Sequence, residues 1–174
     1  MSDIVPIIKD LTGKGLELTM DVVGEDITTP EQATVARDAY LALIDHLKEL
    51  GLGEKVEMSV KLSMFGQALE GGHELALANV RPVVEAAAAI GTTVTLDAED
   101  HTTLDSMFAI HEELRKDFPQ TGCVIQAYLF RTEPTPSAWP RPAAGSAWSR
   151  APTRSPPRSP TSRSTRSTRP TCAS

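Results

Sequence analysis

The chain has 174 residues, enough for one compact domain or two small ones, and a formal net charge of −6. That charge is the sum of two unlike parts. Residues 1–133 carry all 23 acidic side chains against 10 basic ones, and residues 134–174 carry seven arginines and no acid. The sequence shows neither an apolar run long enough for a membrane span nor a signal-peptide pattern, so we expect a cytoplasmic protein. The two cysteines have no metal-ligand spacing and predict no metal site.

The composition changes abruptly after Glu133. Beyond it there is no Ile, Leu, Val, Met, Phe or Tyr, and Pro, Ser, Thr, Ala and Arg fill 37 of 41 positions. Such a segment buries too little apolar surface to offset its ordering entropy. We therefore expect a folded body over residues 1–133 and a disordered tail over residues 134–174.

The body begins with the pattern of a strand followed by a helix. Apolar and polar residues alternate over residues 16–22, which is the period of a strand. The sequence Thr29-Pro30-Glu31-Gln32 then supplies an N-cap, a proline at the first helical position and a glutamine that completes a capping box. Gly51 is typical of a helix end.

The same strand and helix unit recurs along the body. Pro82 falls within the second of these helices, where it predicts a kink or a first-turn boundary. We expect, in order, a strand over residues 56–62, a helix from about 73 to 90, a strand over 93–98, a helix from Thr102 or Thr103 to before Pro119, and a strand over 123–130.

This alternation predicts an α/β fold with a parallel sheet and right-handed crossovers. A doubly wound sheet would favour strands that are apolar throughout, because both of their faces are buried. Three of the strands here alternate apolar with polar residues. We therefore favour a partial (β/α)8 TIM-like barrel of about four βα units, with the polar side of each strand facing the lumen.

The polar strand positions form the candidate site. Lys61 and Asp97 lie near the carboxyl ends of their strands, where such barrels build their sites. Half-buried polar groups need partners, which are supplied either by a polar ligand or by each other in a structural network. The lumen-facing set is Glu17, Thr19, Asp21, Glu57, Ser59, Lys61, Thr95, Asp97 and Gln126.

The densest cluster of chemical groups follows the third strand. Adjacent strand residues point to opposite faces, so at most Asp97 and Glu99 could bind a metal together, and a metal is not favoured. Asp100 and His101 are interpreted as loop and capping residues of the next helix. The histidines interpreted as solvated residues on helix surfaces or helix starts are His46, His73 and His111.

Three motifs on successive strands carry a more specific signal. They are Ser59-Val60-Lys61-Leu62-Ser63, Leu96-Asp97-Ala98-Glu99-Asp100-His101, and Val124-Ile125-Gln126-Ala127-Tyr128-Leu129-Phe130-Arg131-Thr132. Lys61 precedes Asp97 by 36 positions, and Asp97 precedes Gln126 by 29. In order and spacing the motifs resemble the N-terminal half of the catalytic barrel of the proline dehydrogenase family, over roughly residues 5–133.

The resemblance implies a distorted barrel that binds FAD, oxidises L-proline to 1-pyrroline-5-carboxylate by hydride transfer, and passes electrons to a quinone or another acceptor. By position, Lys61 matches the lysine that meets the substrate carboxylate, and Asp97 matches the active-site aspartate. Ala98 matches the position whose backbone approaches the flavin, and Gln126 the residue that hydrogen-bonds the isoalloxazine. The alternation of the strands independently selects Lys61, Asp97 and Gln126.

After Glu133 the chain departs from the family, whose next strand reads Arg-Leu-Val-Lys-Gly-Ala-Tyr. When the codons for residues 145–157 are regrouped one base earlier, their degeneracy permits Val-Arg-Leu-Val-Lys-Gly-Ala-Tyr-Lys-Glu-Pro, and the single codon of Trp148 fits. We therefore hypothesise that the tail is an out-of-frame translation; the alternative is a natural low-complexity tail. Because the resemblance assigns further flavin and substrate contacts to later segments, we expect this 174-residue chain to bind FAD weakly or not at all and to have no turnover.

Two other functions stay open from the residues alone. One is a non-catalytic acidic α/β fragment whose basic tail binds nucleic acid without sequence preference, a membrane surface or its own body. The other is a metal-assisted barrel lyase that uses Asp97 and Glu99. Flavin absorbance distinguishes the flavoenzyme from the first of these, and metal-dependent stabilisation would mark the second.

Overall fold

The computed structural model describes residues 4–24 and 27–126. Its helices are α1 (Val5–Gly13), α2 (Pro30–Leu50), α3 (Gly72–Ala89) and α4 (Leu104–Asp117), and its strands are β1 (Leu18–Asp21), β2 (Val56–Val60), β3 (Thr93–Leu96) and β4 (Gly122–Cys123). Short 3-10 turns at Gly53–Lys55 and Leu62–Phe65 flank β2. The predicted tail, and residues 127–130 of the predicted fourth strand, lie outside the described residues.

The four strands form one parallel sheet in the order β1-β2-β3-β4. The strands lie side by side in chain order, and this order does not reverse within the sheet as it does in a doubly wound fold. Strand residues in the core, such as Val60 and Leu96, share one face and pack with residues of α2, α3 and α4. Helices on one face of a sequentially ordered parallel sheet make a partial (β/α) barrel, as the alternation predicts.

Helix α2 begins and ends where its sequence predicts. The side-chain oxygen of Gln32 accepts hydrogen bonds from the backbone N–H groups of Thr28 at 2.7 Å and Thr29 at 3.1 Å, so Gln32 satisfies donors that lack a helical partner. Gly51 ends the helix in the left-handed region at φ 65°, which glycine adopts without strain. No helix within residues 4–24 and 27–126 is long and apolar enough to cross a membrane.

Some predicted boundaries differ from the structure. Strand β1 starts at Leu18, and Leu16 stays 49% exposed, since the ladder with β2 begins only at Leu18. Leu62 leaves the second strand and starts a 3-10 turn that buries its side chain. Pro82 lies inside α3, as predicted, and of the two predicted roles the structure excludes the first-turn boundary. Helix α1 was not predicted, because Ile8 is its one buried residue and its apolar pattern is short.

The interpretation of His111 as a solvated residue is wrong. Its side chain is 3% exposed, because position 111 shares the buried face of α4 with Met107, Ile110 and Leu114. The ring Nε2 lies 3.0 Å from the backbone carbonyl oxygen of Thr121 and donates to it, since a carbonyl can only accept. Burial lowers the pKa of His111, which keeps the ring neutral in the folded protein.

Candidate active site

The polar side of the sheet is the face that the helices leave uncovered. Along β2, Met58 and Val60 are fully buried, whereas Glu57 and Ser59 between them are only partly buried. Because successive residues of a strand point to opposite faces, the same alternation that fills the core places the polar residues on the other side. The structure therefore brings the predicted lumen-facing residues of β1, β2 and β3 onto one surface.

Lys61 follows β2 directly, and its ammonium forms an ion pair with Asp21 at the end of β1. Both side chains are about one third exposed, at 34% and 32%. The hydrogen bond that Lys61 donates to Asp21 raises the pKa of Lys61, the charges of Asp21, Asp97 and Glu99 add to this, and partial burial opposes it. Lys61 is therefore a fixed cation among several carboxylates, and its direct partner is Asp21 and not Asp97.

Tyr40 of α2 reaches this network from the buried side. Its ring is fully buried. Its hydroxyl donates to two acceptors, Asp21 Oδ1 at 3.1 Å and the Ser59 carbonyl oxygen at 3.0 Å. The hydroxyl also accepts the backbone N–H of Val22 at 3.4 Å. Burial raises the pKa of Tyr40, so the group stays a donor. Sequence reasoning missed this role, because a tyrosine on the apolar stripe of a helix is indistinguishable from an ordinary core residue.

Asp97 follows β3 and lies on the same face. Its Oδ2 accepts a hydrogen bond of 2.7 Å from the Ser59 hydroxyl. Its backbone N–H donates to the Val60 carbonyl at 2.8 Å, so the pairing between the strands continues to this residue. Asp97 is thus held by both its backbone and its side chain, with one carboxylate oxygen engaged by Ser59.

Ala98 and Gln126 meet one step further along. The Gln126 side-chain amide donates to the Ala98 backbone carbonyl at 3.3 Å, which links the segment after β4 to the end of β3. The methyl side chain of Ala98 leaves its backbone more accessible than a larger side chain would. All four predicted site residues, Lys61, Asp97, Ala98 and Gln126, therefore lie at the carboxyl ends of β2, β3 and β4.

Two further carboxylates of this surface, Glu57 and Glu99, accept hydrogen bonds from neighbouring residues. Glu57 accepts from Thr19 at 3.3 Å and from Thr95, in a layer deeper along the strands. Glu99 accepts from both the backbone N–H and the hydroxyl of Ser63, at 3.0 and 2.6 Å, and so ties the loops after β2 and β3 together. Within the part of the chain that the structure describes, no three His, Cys, Asp or Glu side chains gather as a set of metal ligands.

Asp100 behaves as the sequence predicts. Its carboxylate accepts from the Thr102 backbone N–H at 2.7 Å and from the Thr102 hydroxyl at 2.6 Å, in the turn before α4. The side-chain hydrogen bond from Thr102 lowers the pKa of Asp100, and the backbone hydrogen bond acts in the same direction. Asp100 thus shapes the loop that follows Asp97 and does not join the polar network.

A separate cavity of about 190 Å³ lies at the other end of the sheet. It is lined by the start of β3 and by the loop that precedes β4, including Thr93, Phe118 and Thr121. Because parallel strands run in one direction, their amino and carboxyl ends lie at opposite edges of the sheet. This cavity is therefore not part of the polar site.

The fold and the polar edge define a barrel-type α/β protein with a cluster of polar side chains at the carboxyl ends of the strands, where such barrels build their sites. Comparison with known proteins identifies the particular family. The family model for proline dehydrogenase matches residues 5–143 of this chain. The chain belongs to the proline dehydrogenase family.

Individual relatives agree with this assignment. Proline dehydrogenase 1 of Bacillus subtilis (strain 168) is 32% identical over 127 residues, which is 73% of this chain and 41% of the relative. Proline dehydrogenase of Deinococcus radiodurans is 32% identical over 131 residues, covering 74% of this chain and 42% of the relative. Proline dehydrogenase 2 of Bacillus subtilis is 27% identical over 129 residues. The chain thus spans about two fifths of the length of the relatives it matches.

Proposed function

We propose that the polar edge of this sheet is the N-terminal part of a site for the FAD-dependent oxidation of L-proline to 1-pyrroline-5-carboxylate. The observation that carries the proposal is that Lys61, Asp97, Ala98 and Gln126 lie at one edge of the sheet. Lys61 is held there by Asp21, Asp97 by Ser59, and Gln126 by the Ala98 carbonyl. These four residues lie within residues 5–143, which match the family, and the resemblance of their motifs supports assigning them to its site. The matched segment covers only 41% and 42% of the relatives whose names describe this activity, so the proposal concerns the site and not the activity of this chain by itself.

Lys61 would bind the carboxylate of the amino acid. An ammonium carries three N–H donors, and the pair with Asp21 engages one of them. The others would donate to an anionic ligand on the uncovered face, because a charge-assisted hydrogen bond is stronger than a neutral one. The raised pKa of Lys61 keeps it cationic at neutral pH.

Asp97 would provide the opposite charge. One of its oxygens is engaged by Ser59, and its charge acts on Lys61 as well, so the two groups lie within electrostatic range of each other. A cation and an anion on one small surface suit a zwitterionic amino acid, whose carboxylate and amine carry opposite charges. This arrangement favours an amino acid over a simple carboxylic acid as the substrate.

Ala98 and Gln126 fit a flavin. A side-chain amide such as that of Gln126 carries both donor and acceptor groups, which suits the polar edge of an isoalloxazine, and the Ala98 carbonyl accepts one of its hydrogen bonds. The small side chain of Ala98 permits close approach of a flat ring to the backbone. Ala98 and Gln126 would hold the flavin, and FAD would supply the hydride acceptor for oxidation of the ring carbon beside the proline nitrogen, with release of a proton and reoxidation by a quinone or another acceptor.

The reading frame provides the test of this function. We propose, from the sequence after Glu133, that residues 134–174 are an out-of-frame translation, and resequencing the gene across codons 133 and 134 decides this. A product with the restored frame should be yellow and should reduce a dye when L-proline is added, whereas the 174-residue chain should do neither. An intact downstream frame that does not encode the family's next strand would contradict the frameshift.

Variants of the frame-restored product test the named residues. Lys61→Gln should raise KM for L-proline, and Asp97→Asn should lower kcat/KM, because each removes a charge that the substrate meets. Lys55→Gln removes an exposed lysine outside the polar face and is the matched control. A frame-restored product that holds FAD but does not oxidise proline would refute the proposed function.

A further inference from the structure

Three groups from three elements form a connected line that ends at Lys61. Tyr40 of α2 contacts Asp21 of β1, and Asp21 contacts Lys61 after β2. We propose that Asp21 and Tyr40 are positioning residues that hold the Lys61 ammonium at the uncovered face so that it can bind the carboxylate of a ligand. The inference rests on the proposed function for the identity of that ligand, and on the contacts alone for the positioning.

The first step is the ion pair by which Asp21 holds the Lys61 ammonium. A lysine has a long flexible stem, so an ammonium at its end has no fixed position unless a partner holds it. Asp21 of β1 pairs with Ser59 of β2, and Ser59 precedes Lys61 by two residues. Asp21 Oδ2 accepts a hydrogen bond from the Lys61 ammonium, and Asp21 Oδ1 accepts one from the Tyr40 hydroxyl. The two carboxylate oxygens thus have separate partners.

The second step is the anchoring of Asp21 by Tyr40. Asp21 is itself about one third exposed, so by itself it would be a mobile partner. The ring of Tyr40, in contrast, is fully buried and tilted against Phe65, with the ring centroids 5.5 Å apart. A ring fixed by packing fixes its hydroxyl, and the hydroxyl fixes Asp21. The buried layer of the fold thereby determines where a charged group stands on the open face.

Asp21 could instead compete with the ligand for Lys61, and this alternative predicts the opposite change in ligand binding. A carboxylate already on Lys61 could compete with the carboxylate of a ligand, in which case Asp21 would weaken binding. Three N–H donors on one ammonium allow both acceptors together, and a preorganised donor binds at a lower entropic cost. The two roles are separable, because removal of Asp21 should weaken binding if it positions Lys61 and strengthen binding if it competes.

The experiment uses the full 174-residue chain and its variants Asp21→Asn, Tyr40→Phe and Asp38→Asn. Asp38 is an exposed acid of α2 whose partner is Arg37, so Asp38→Asn removes the same charge without touching Lys61. The order parameter and the pKa of the Lys61 ammonium are measured by NMR of its ζ nitrogen. L-proline is then titrated into each protein. Circular dichroism verifies that each variant is folded.

Positioning predicts a lower Lys61 order parameter in Asp21→Asn and in Tyr40→Phe, a lower Lys61 pKa in Asp21→Asn, and no change of either in Asp38→Asn. A general structural defect would not move the lysine selectively. An unchanged Lys61 order parameter in either of the first two variants, or tighter proline binding in Asp21→Asn, would overturn the inference. If the unmodified chain does not bind proline, the NMR measurements still decide the positioning, and the proposed function is judged on the frame-restored product.

Discussion

The two faces of the sheet come from the same strands and follow different rules. On the covered face, residues such as Met58 and Leu96 are fully buried and pack with residues of the three longest helices. On the uncovered face, Glu57 and Asp97 are partly buried, and each accepts a hydrogen bond from a hydroxyl group: Glu57 from Thr95 and Asp97 from Ser59. The covered face is held by apolar burial, which is not directional, and the uncovered face by hydrogen bonds, which are.

This difference separates stability from chemistry within one strand. Loss of a packed side chain leaves a void that the surroundings fill only in part, so it lowers the free energy of unfolding. Loss of a half-exposed charge lets water take its place, so its effect on stability is small. We therefore expect substitutions on the covered face to unfold the protein and those on the uncovered face to change what it binds.

The largest effect is expected on the covered face. Leu96→Ala should lower the free energy of unfolding by about 2–5 kcal/mol, because Leu96 is fully buried between β3 and the helices. Val35→Ala on the 68% exposed position of α2 is the control and should change it by less than about 0.5 kcal/mol. Urea unfolding followed by circular dichroism measures both. Equal losses in the two variants would contradict the division between the faces.

The buried histidine gives the covered face a dependence on pH. Because burial lowers the pKa of His111, the unfolded chain takes up a proton below about pH 6.5 that the folded chain does not. Stability should thus fall as the pH drops through this range, by up to about 1.4 kcal/mol per pH unit, until the folded pKa is reached. Comparison of the unmodified protein with His111→Gln at pH 7.5 and 5.5 isolates this part. The same loss in both proteins would show that His111 is not its source.

Tyr40 joins the two faces and should show an intermediate effect. Tyr40→Phe keeps the buried ring and removes the hydroxyl from Asp21 and the Ser59 carbonyl, which should cost about 1 kcal/mol of stability. Thermal and urea unfolding measure it. A loss as large as that of Leu96→Ala would mean that the hydroxyl supports the core and does not simply connect it to the polar face.

The smallest effect on stability is expected at Lys61. Its ion pair with Asp21 is about one third exposed, so Lys61→Gln should change the free energy of unfolding by no more than about 1 kcal/mol. The same substitution should raise KM for L-proline in the frame-restored product. A strongly destabilised Lys61→Gln protein would instead assign Lys61 to the structural network of the sheet.

Much of the site follows from local patterns. Alternation placed Lys61 and Asp97 on one face, and the structure confirms that both lie there at the ends of β2 and β3. The capping sequence at Thr29 and the glycine at position 51 predicted α2 to the residue. These predictions succeed because period, capping and helix ends depend on neighbours in the sequence.

The partners of these residues depend on the tertiary structure. Asp21 is 40 positions from Lys61, and only the register of β1 on β2 determines that their side chains meet. The role of Tyr40 depends on how α2 packs beneath the strand ends, and the burial of His111 on how α4 packs with α3 and the sheet. The sequence by itself therefore determined which residues share a face and which family they belong to. Register and packing, which are set by contacts between distant segments, decided which of those residues hold each other.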